Sequence, residues 1–184
     1  MRPLRNKDPE IYRLLTIRTG EARLWLTPNA KVKRLLGGIL ARYQEVFEVL
    51  IYAYNFLGNH YHLLIKAPKG NADEFCENVN REIARRLNFM HHREGKLWGR
   101  RYDDQEVLTE ADLLEAFLYV TTNATRHGIA RDLSEWPGFN SYSQSLTGEA
   151  KTFSFYHYSS EEDEGKVTTH TLKLSPLPQH EEMT

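Results

Sequence analysis

The sequence predicts a mixed α+β fold, an antiparallel sheet with helices packed on one face, followed by a polar C-terminal extension. Three observations carry that prediction. Short runs in which apolar residues alternate are interleaved with longer runs at helical spacing. Their order is βαββαβα, and the two central strand-like runs are separated only by Leu57, Gly58 and Asn59, a connection short enough to force antiparallel neighbours. A ferredoxin-like arrangement is the economical solution to this order.

The first strand falls over residues 11–18, Ile-Tyr-Arg-Leu-Leu-Thr-Ile-Arg, which are branched and alternating. Thr27 before Pro28 predicts a helix start, with Thr27 as cap and proline at the first helical position. That helix carries Val32, Leu35, Leu36, Ile39, Leu40 and Tyr43 at helical spacing and ends near Glu48. A strand over 49–56 follows, then the turn, where Gly58 and Asn59 tolerate a positive φ, and then a strand beginning at Asn59. The second helix, after residues 68–71, has Phe75, Val79, Ile83, Leu87 and Met90 as its stripe and is broken by Gly95. A basic loop from Leu97 enters a short strand at 105–108. Thr109 with Asp112 forms a capping box for a third helix, reaching about Thr125 with Gly128 beyond its end. Its expected buried stripe is Leu113, Leu114, Phe117 and Leu118, with Asp112, Glu115, Tyr119, Asn123 and Arg126 along an adjacent polar face. After Tyr142 the pattern dissolves, residues 159–164 read as an acidic linker, and 168–174 alternate weakly, as an edge strand would. The organisation expected is one domain over 1–147 and a polar acidic extension, partly disordered, over 148–184.

The chain of 184 residues is long enough to bury a core without disulfides, and its one cysteine, Cys76, lies in a helical run and reads as a small buried apolar residue. With neither an N-terminal signal pattern nor an apolar run of about 20 residues, a cytoplasmic protein without membrane partners is expected. The net charge of −1 hides an asymmetry. From Glu149 onward there are 3 basic and 7 acidic residues, which leaves 21 against 18 before it. Arg81, Arg85, Arg86, Arg93, Lys96, Arg100 and Arg101 are interleaved with Phe89, His91, His92 and Trp98. That mixture suits phosphates and bases, although standing alone it reads better as a solvated helix face.

The most informative stretch is Asn59-His60-Tyr61-His62-Leu63-Leu64-Ile65. On a strand, alternation points His60 and His62 to one face and Tyr61 to the other, so two neutral imidazoles could share a divalent metal. Such pairs also occur by chance on half-exposed strands, so a third ligand and a reacting group are needed. Tyr119 and Asn123, one helical turn apart, could supply a nucleophile and a ligand oxygen if their helix crosses that strand. A helical tyrosine is otherwise an amphipathic packer, and a helical asparagine near a C-terminus a cap.

These motifs, with Trp98-Gly99-Arg100-Arg101-Tyr102, Arg126-His127-Gly128 and Trp136-Pro137-Gly138-Phe139-Asn140-Ser141-Tyr142, stand in the order and spacing of the single-tyrosine HUH transposases. The chain most resembles the REP-associated tyrosine transposases, over roughly residues 12–142. The resemblance implies that His60 and His62 are metal ligands, Asn123 occupies the third-ligand position, and Tyr119 is the nucleophile. It implies metal-dependent cleavage and rejoining of single-stranded or hairpin DNA through a 5′-phosphotyrosine, with Mg²⁺ or Mn²⁺ and no nucleotide cofactor, by a monomer or homodimer. Trp98, Arg100, Arg101, Arg81 and Arg85 are the expected nucleic-acid contacts. The sequence departs from the family at Gly58, where proline is common, and at Ala124, where Asn-Pro is common. The alternative is a catalytically silent, domesticated DNA-binding protein acting at repeat sequences.

Overall fold

The computed structural model describes residues 6–157 and 165–178. Its central sheet has the order β4-β1-β3-β2-β5 and is antiparallel throughout, built from β1 (Tyr12–Arg18), β2 (Leu50–Phe56), β3 (His60–Lys66), β4 (Asp103–Val107) and β5 (Phe139–Asn140). The helices are α1 (Ala30–Phe47), α2 (Ala72–Met90), α3 (Glu110–Arg126) and the short α4 (Tyr142–Thr147). A separate hairpin joins β6 (Lys151–Tyr156) to β7 (Val167–Leu172). The ferredoxin-like order expected from the sequence is present, with β5 added at one edge.

Alternation in β1 and β3 divides the interior in two. Leu15, Ile17, Tyr61, Leu63 and Ile65 face α1 and α2 in the larger core, while Leu14 and Leu64 face α3 with Tyr52, Ala53 and Val107. A bulge in β2 makes the split possible: the register shifts between Ile51, opposite Ile65, and Ala53, opposite Leu64. Tyr52 is the extra residue, and its ring packs edge-on against Tyr12 with centroids 5.3 Å apart. The helices therefore do not all share one face, as the sequence reading had them. Strands apolar on both sides would leave Leu14, Ala53 and Leu64 in water unless an element covered the second face, and α3 does so.

The buried side of α3 is Leu113, Ala116, Val120, Asn123 and Ala124. Leu114 and Leu118, placed in the stripe by the sequence reading, are 44% and 49% exposed. The helix is rotated toward its 3-4-3 row of small residues, which brings its backbone close to the sheet. Its start is as predicted, the Thr109 hydroxyl accepting from Asp112 N–H at 3.1 Å. At α1 the cap is Asn29, whose Oδ1 accepts from Lys31 and Val32 N–H, both at 2.9 Å; Thr27 donates instead to the Leu24 carbonyl.

The C-terminal region packs onto the body rather than standing apart from it. Phe155 and Leu172 are buried in the larger core, Ser175 N–H donates to Ile51 C=O at 2.8 Å, and the Tyr54 hydroxyl donates to Gln144 Oε1 at 2.5 Å. Gly37 and Gly38 of α1 let the hairpin approach, because a Cβ on either would collide with the Phe153 ring or the Ser154 carbonyl. A boundary after residue 147 therefore does not separate independently packed units. The acidic run at 159–164 lies outside the described residues.

Candidate active site

His60 and His62 lie on the α3 side of β3, opposite Tyr61, as alternation requires. Their ring centroids are 5.0 Å apart at 87°. Each Nδ1 is tied down. His60 Nδ1 lies 2.6 Å from Asn59 Oδ1, and because Asn59 Nδ2 donates to the Ala22 carbonyl at 3.1 Å, the amide oxygen is the atom facing the ring. His60 therefore carries its proton on Nδ1 and leaves the Nε2 lone pair free. His62 Nδ1 lies 2.8 Å from the Oγ1 of Thr16, its cross-strand neighbour. His62 Nε2 is buried and has no protein partner.

Neither Gly58 nor Asn59 takes the positive φ that the sequence reading gave the turn. The turn is held from outside instead. Asn59 C=O accepts Thr19 N–H at 2.9 Å, Gly58 C=O accepts Leu26 N–H at 2.8 Å, and the missing Cβ of Gly58 makes room for Leu24. The imidazoles thus project from a strand end anchored to the β1–α1 connection.

α3 brings Tyr119 to this face, its ring edge-on to His62 with centroids 5.1 Å apart at 79°. Among the described residues the Tyr119 hydroxyl has no hydrogen-bond partner, and the Arg126 guanidinium lies 5.6 Å from the ring centroid. Asn123, one turn on, is fully buried with neither Oδ1 nor Nδ2 hydrogen-bonded. Asn55, opposite His62 on β2, donates to the Val120 carbonyl at 3.1 Å and so ties α3 to the sheet between Tyr119 and Asn123. Its Oδ1 is also buried and unpaired. Unsatisfied buried polar groups are uncommon because each costs about 1–3 kcal/mol. Among the described residues His62 Nε2, Asn55 Oδ1 and both Asn123 amide atoms are four such atoms on the β3 and α3 side; the others are Arg42 Nε, Asn71 Oδ1 and Trp136 Nε1.

Burial, reinforced by Arg18 and His127, lowers the His60 pKa to about 4. Burial, then His60, His127 and Arg18, lowers that of His62 to about 3. Both rings are neutral at pH 7, the form that binds a metal. Among the described residues no three His, Cys, Asp or Glu side chains are grouped to hold an ion.

The expected nucleic-acid contacts separate into two places. Trp98 pairs through its backbone with Thr19 beside the site, but its indole is committed to packing, donating to Asn80 C=O at 2.9 Å and lying edge-on to Tyr61 at 5.7 Å. Arg100 and Arg101 follow on the same loop with exposed side chains. Arg81 and Arg85 are on α2, on the far side of the sheet from the histidines, and engage Glu77 and Glu82. The structure does not bring them together with Tyr119. Sequence reasoning missed Thr16, Arg18, Asn55 and His127. The first three become visible only once the register places them beside His60 and His62, and His127 only once α3 is laid over β3.

No protein of curated function matches the sequence. Two solved structures are similar in shape. One is a REP-associated tyrosine transposase bound to a REP hairpin, 18% identical, with a TM-score of 0.65 over 80% of this chain and 86% of that one. The other, a candidate transposase from Deinococcus radiodurans R1, is 22% identical over 65% of this chain and 95% of that one, with a TM-score of 0.46. The first shares the fold. The sequence profile of the family described as "Transposase IS200 like" matches residues 17–120, more than half the chain, from the last two residues of β1 to just past Tyr119, and the protein belongs to that family.

Proposed function

We propose that this protein cleaves and rejoins single-stranded, hairpin-associated DNA through a 5′-phosphotyrosine on Tyr119. The observation that carries the reading is the convergence of a tyrosine with no hydrogen-bonded partner, an unpaired buried His62 Nε2 and an unpaired buried Asn123 amide on one face of one strand. The donor set fits a divalent cation held by His60, His62 and Asn123, two imidazole nitrogens and one amide oxygen. Mixed ligands of this kind accept Mg²⁺ or Mn²⁺, Mn²⁺ taking imidazole more readily. Such an ion, when bound, would neutralise phosphate charge and polarise the scissile bond.

The residues of the chain do the rest. Asn59 and Thr16 hold the two imidazoles with Nδ1 engaged and Nε2 presented. Asn55 fixes α3 so that Tyr119 stands over His62. The Tyr119 oxygen bonds to phosphorus as the bond to the 3′-oxygen breaks; the phenol proton passes to solvent and the 3′-oxygen takes one up. Because the ester energy stays in the tyrosyl linkage, rejoining by reversal needs no nucleotide cofactor. Arg100 and Arg101, which line a cleft with Ile17, Asp73 and Glu77 on the α2 side, would meet the strand only where it leaves the site, and Trp98 supports their loop. Arg81 and Arg85 would be reached only by DNA wrapping around the sheet. In this reading His60, His62, Asn123 and Tyr119 of the same chain form the site, in a monomer or in each half of a homodimer. No described helix is long and apolar enough to cross a membrane.

Incubation with Mn²⁺ and a panel of labelled hairpin oligonucleotides with single-stranded flanks tests the reading. It predicts a covalent protein–DNA adduct that chelation abolishes and Tyr119→Phe does not form. DNA binding without an adduct under any divalent ion would instead mark a silent, domesticated DNA-binding protein.

A further inference from the structure

We propose that Arg18 is a catalytic residue that grips the non-bridging oxygens of the scissile phosphate, a role that rests on the reading of Tyr119 and the two histidines given above. Arg18 is the last residue of β1 and stands directly opposite His60 in the β1–β3 register. Two residues earlier on the same strand, Thr16 bonds His62, so alternation puts the Arg18 side chain on the histidine face.

The backbone there is fixed on both sides. Gly99 N–H donates to Arg18 C=O at 3.0 Å, and Thr19 N–H to Asn59 C=O at 2.9 Å. The guanidinium is exposed, and among the described residues it has no hydrogen-bond or carboxylate partner. Arg13 is held by Asp104, Arg23 by Glu21, Arg86 by Glu82 and Arg100 by Asp103, whereas Arg18, like Arg34, Arg101, Arg126 and Arg131, is held by no carboxylate among the described residues, and it alone of these stands opposite a site histidine in the sheet.

An unpaired cation beside two ligands that would hold a second cation is unfavourable by itself, since like charges a few ångströms apart repel. The arrangement becomes favourable when an anion lies between them. A phosphodiester entering toward Tyr119 is such an anion, and the planar guanidinium can donate two parallel hydrogen bonds to its two non-bridging oxygens. As the Tyr119 oxygen approaches phosphorus, charge on those oxygens rises, so the contact strengthens toward the transition state. Arg18 stays protonated throughout and takes no part in the bond exchange.

The test uses the full chain with Arg18→Gln and Arg18→Lys. Single-turnover adduct formation on the hairpin oligonucleotide that the wild type cleaves should fall about 10²-fold in Arg18→Gln. Arg18→Lys should recover only part, because an ammonium cannot fork. Mn²⁺ affinity without DNA, read by electron paramagnetic resonance, should be unchanged or tighter in Arg18→Gln, opposite in direction to His60→Ala. Placing an uncharged methylphosphonate at the cleaved linkage should weaken binding to the wild type more than to Arg18→Gln. The proposal is overturned if Arg18→Gln forms adduct at the wild-type rate, or if its Mn²⁺ binding falls in step with cleavage, which would make Arg18 a structural support. A wild type that forms no adduct on any oligonucleotide would remove the proposed function and this role together; a wild type that cleaves beside an equally active Arg18→Gln would remove this role alone.

Discussion

The two faces of β3 are built to opposite rules. Toward α1 and α2, Tyr61, Leu63 and Ile65 enter a large core in which even the Tyr61 hydroxyl is satisfied, donating to Asn80 Oδ1 at 2.7 Å. Toward α3, His60 and His62 adjoin a smaller apolar cluster that keeps His62 Nε2, Asn55 Oδ1 and both Asn123 amide atoms buried without partners. On the first face the strand's own side chains are apolar or satisfied, and the unpaired buried atoms, Arg42 Nε and Asn71 Oδ1, lie out on α1 and at the start of α2. The other leaves polar groups unsatisfied where a ligand would satisfy them, a sacrifice of stability of the kind expected at a functional site.

Substitutions can break or sharpen that contrast. The largest effect on stability belongs to the α1/α2 face: Leu63→Ala, which empties a fully buried position, should cost about 2–5 kcal/mol in chemical denaturation while leaving the identity of the nucleophile unchanged. On the α3 face the sign should reverse. Asn123→Leu removes two unsatisfied amide atoms from a fully buried site, so the metal-free protein should gain about 1–3 kcal/mol while losing cleavage and Mn²⁺ affinity. Loss of stability there would mean that Asn123 is satisfied in solution and the contrast overstated.

A smaller effect is expected from pH. His60 and His62 have folded pKa values near 4 and 3, below the unfolded value of about 6.5, so the unfolded chain takes up protons first. Stability of the metal-free protein should be level above about pH 6.5 on their account and decline as the pH falls toward 4, and His62→Leu should flatten that decline. The smallest is Tyr61→Phe, which removes one buried hydrogen bond and should cost about 1 kcal/mol with cleavage intact.

The same contrast explains what the sequence disclosed. Alternation in β3 and the Thr109–Asp112 cap are local signals, and both were legible, as were the strand order and the spacing of Tyr119 and Asn123. The face taken by α3 was not, because Leu114 and Leu118 compete with Ala116 and Val120 for the apolar stripe, and only the sheet beneath decides between them. Thr16, Arg18 and Asn55 join the histidines through cross-strand register, which no local pattern encodes. The weak alternation at 168–174 marked β7, but its partner β6 went unread because Phe153 and Phe155 are isolated among polar residues, and the anchor of the hairpin, Gly37-Gly38, lies more than a hundred positions earlier. Pro28 was a misleading cap signal, since Asn29 beyond it has the better-placed oxygen.

The central claim is that α3 sets one tyrosine over the histidine face within a single chain. Mass spectrometry of the trapped adduct, after nuclease trimming and proteolysis, tests it most directly by locating the residue that carries the 5′-phosphate. The account predicts the peptide containing Tyr119 and no other, with the same result when Tyr119→Phe and His60→Ala proteins, each inactive, are mixed and fail to restore the adduct. Phosphate on Tyr61 or Tyr102, or an adduct regained in that mixture, would contradict it.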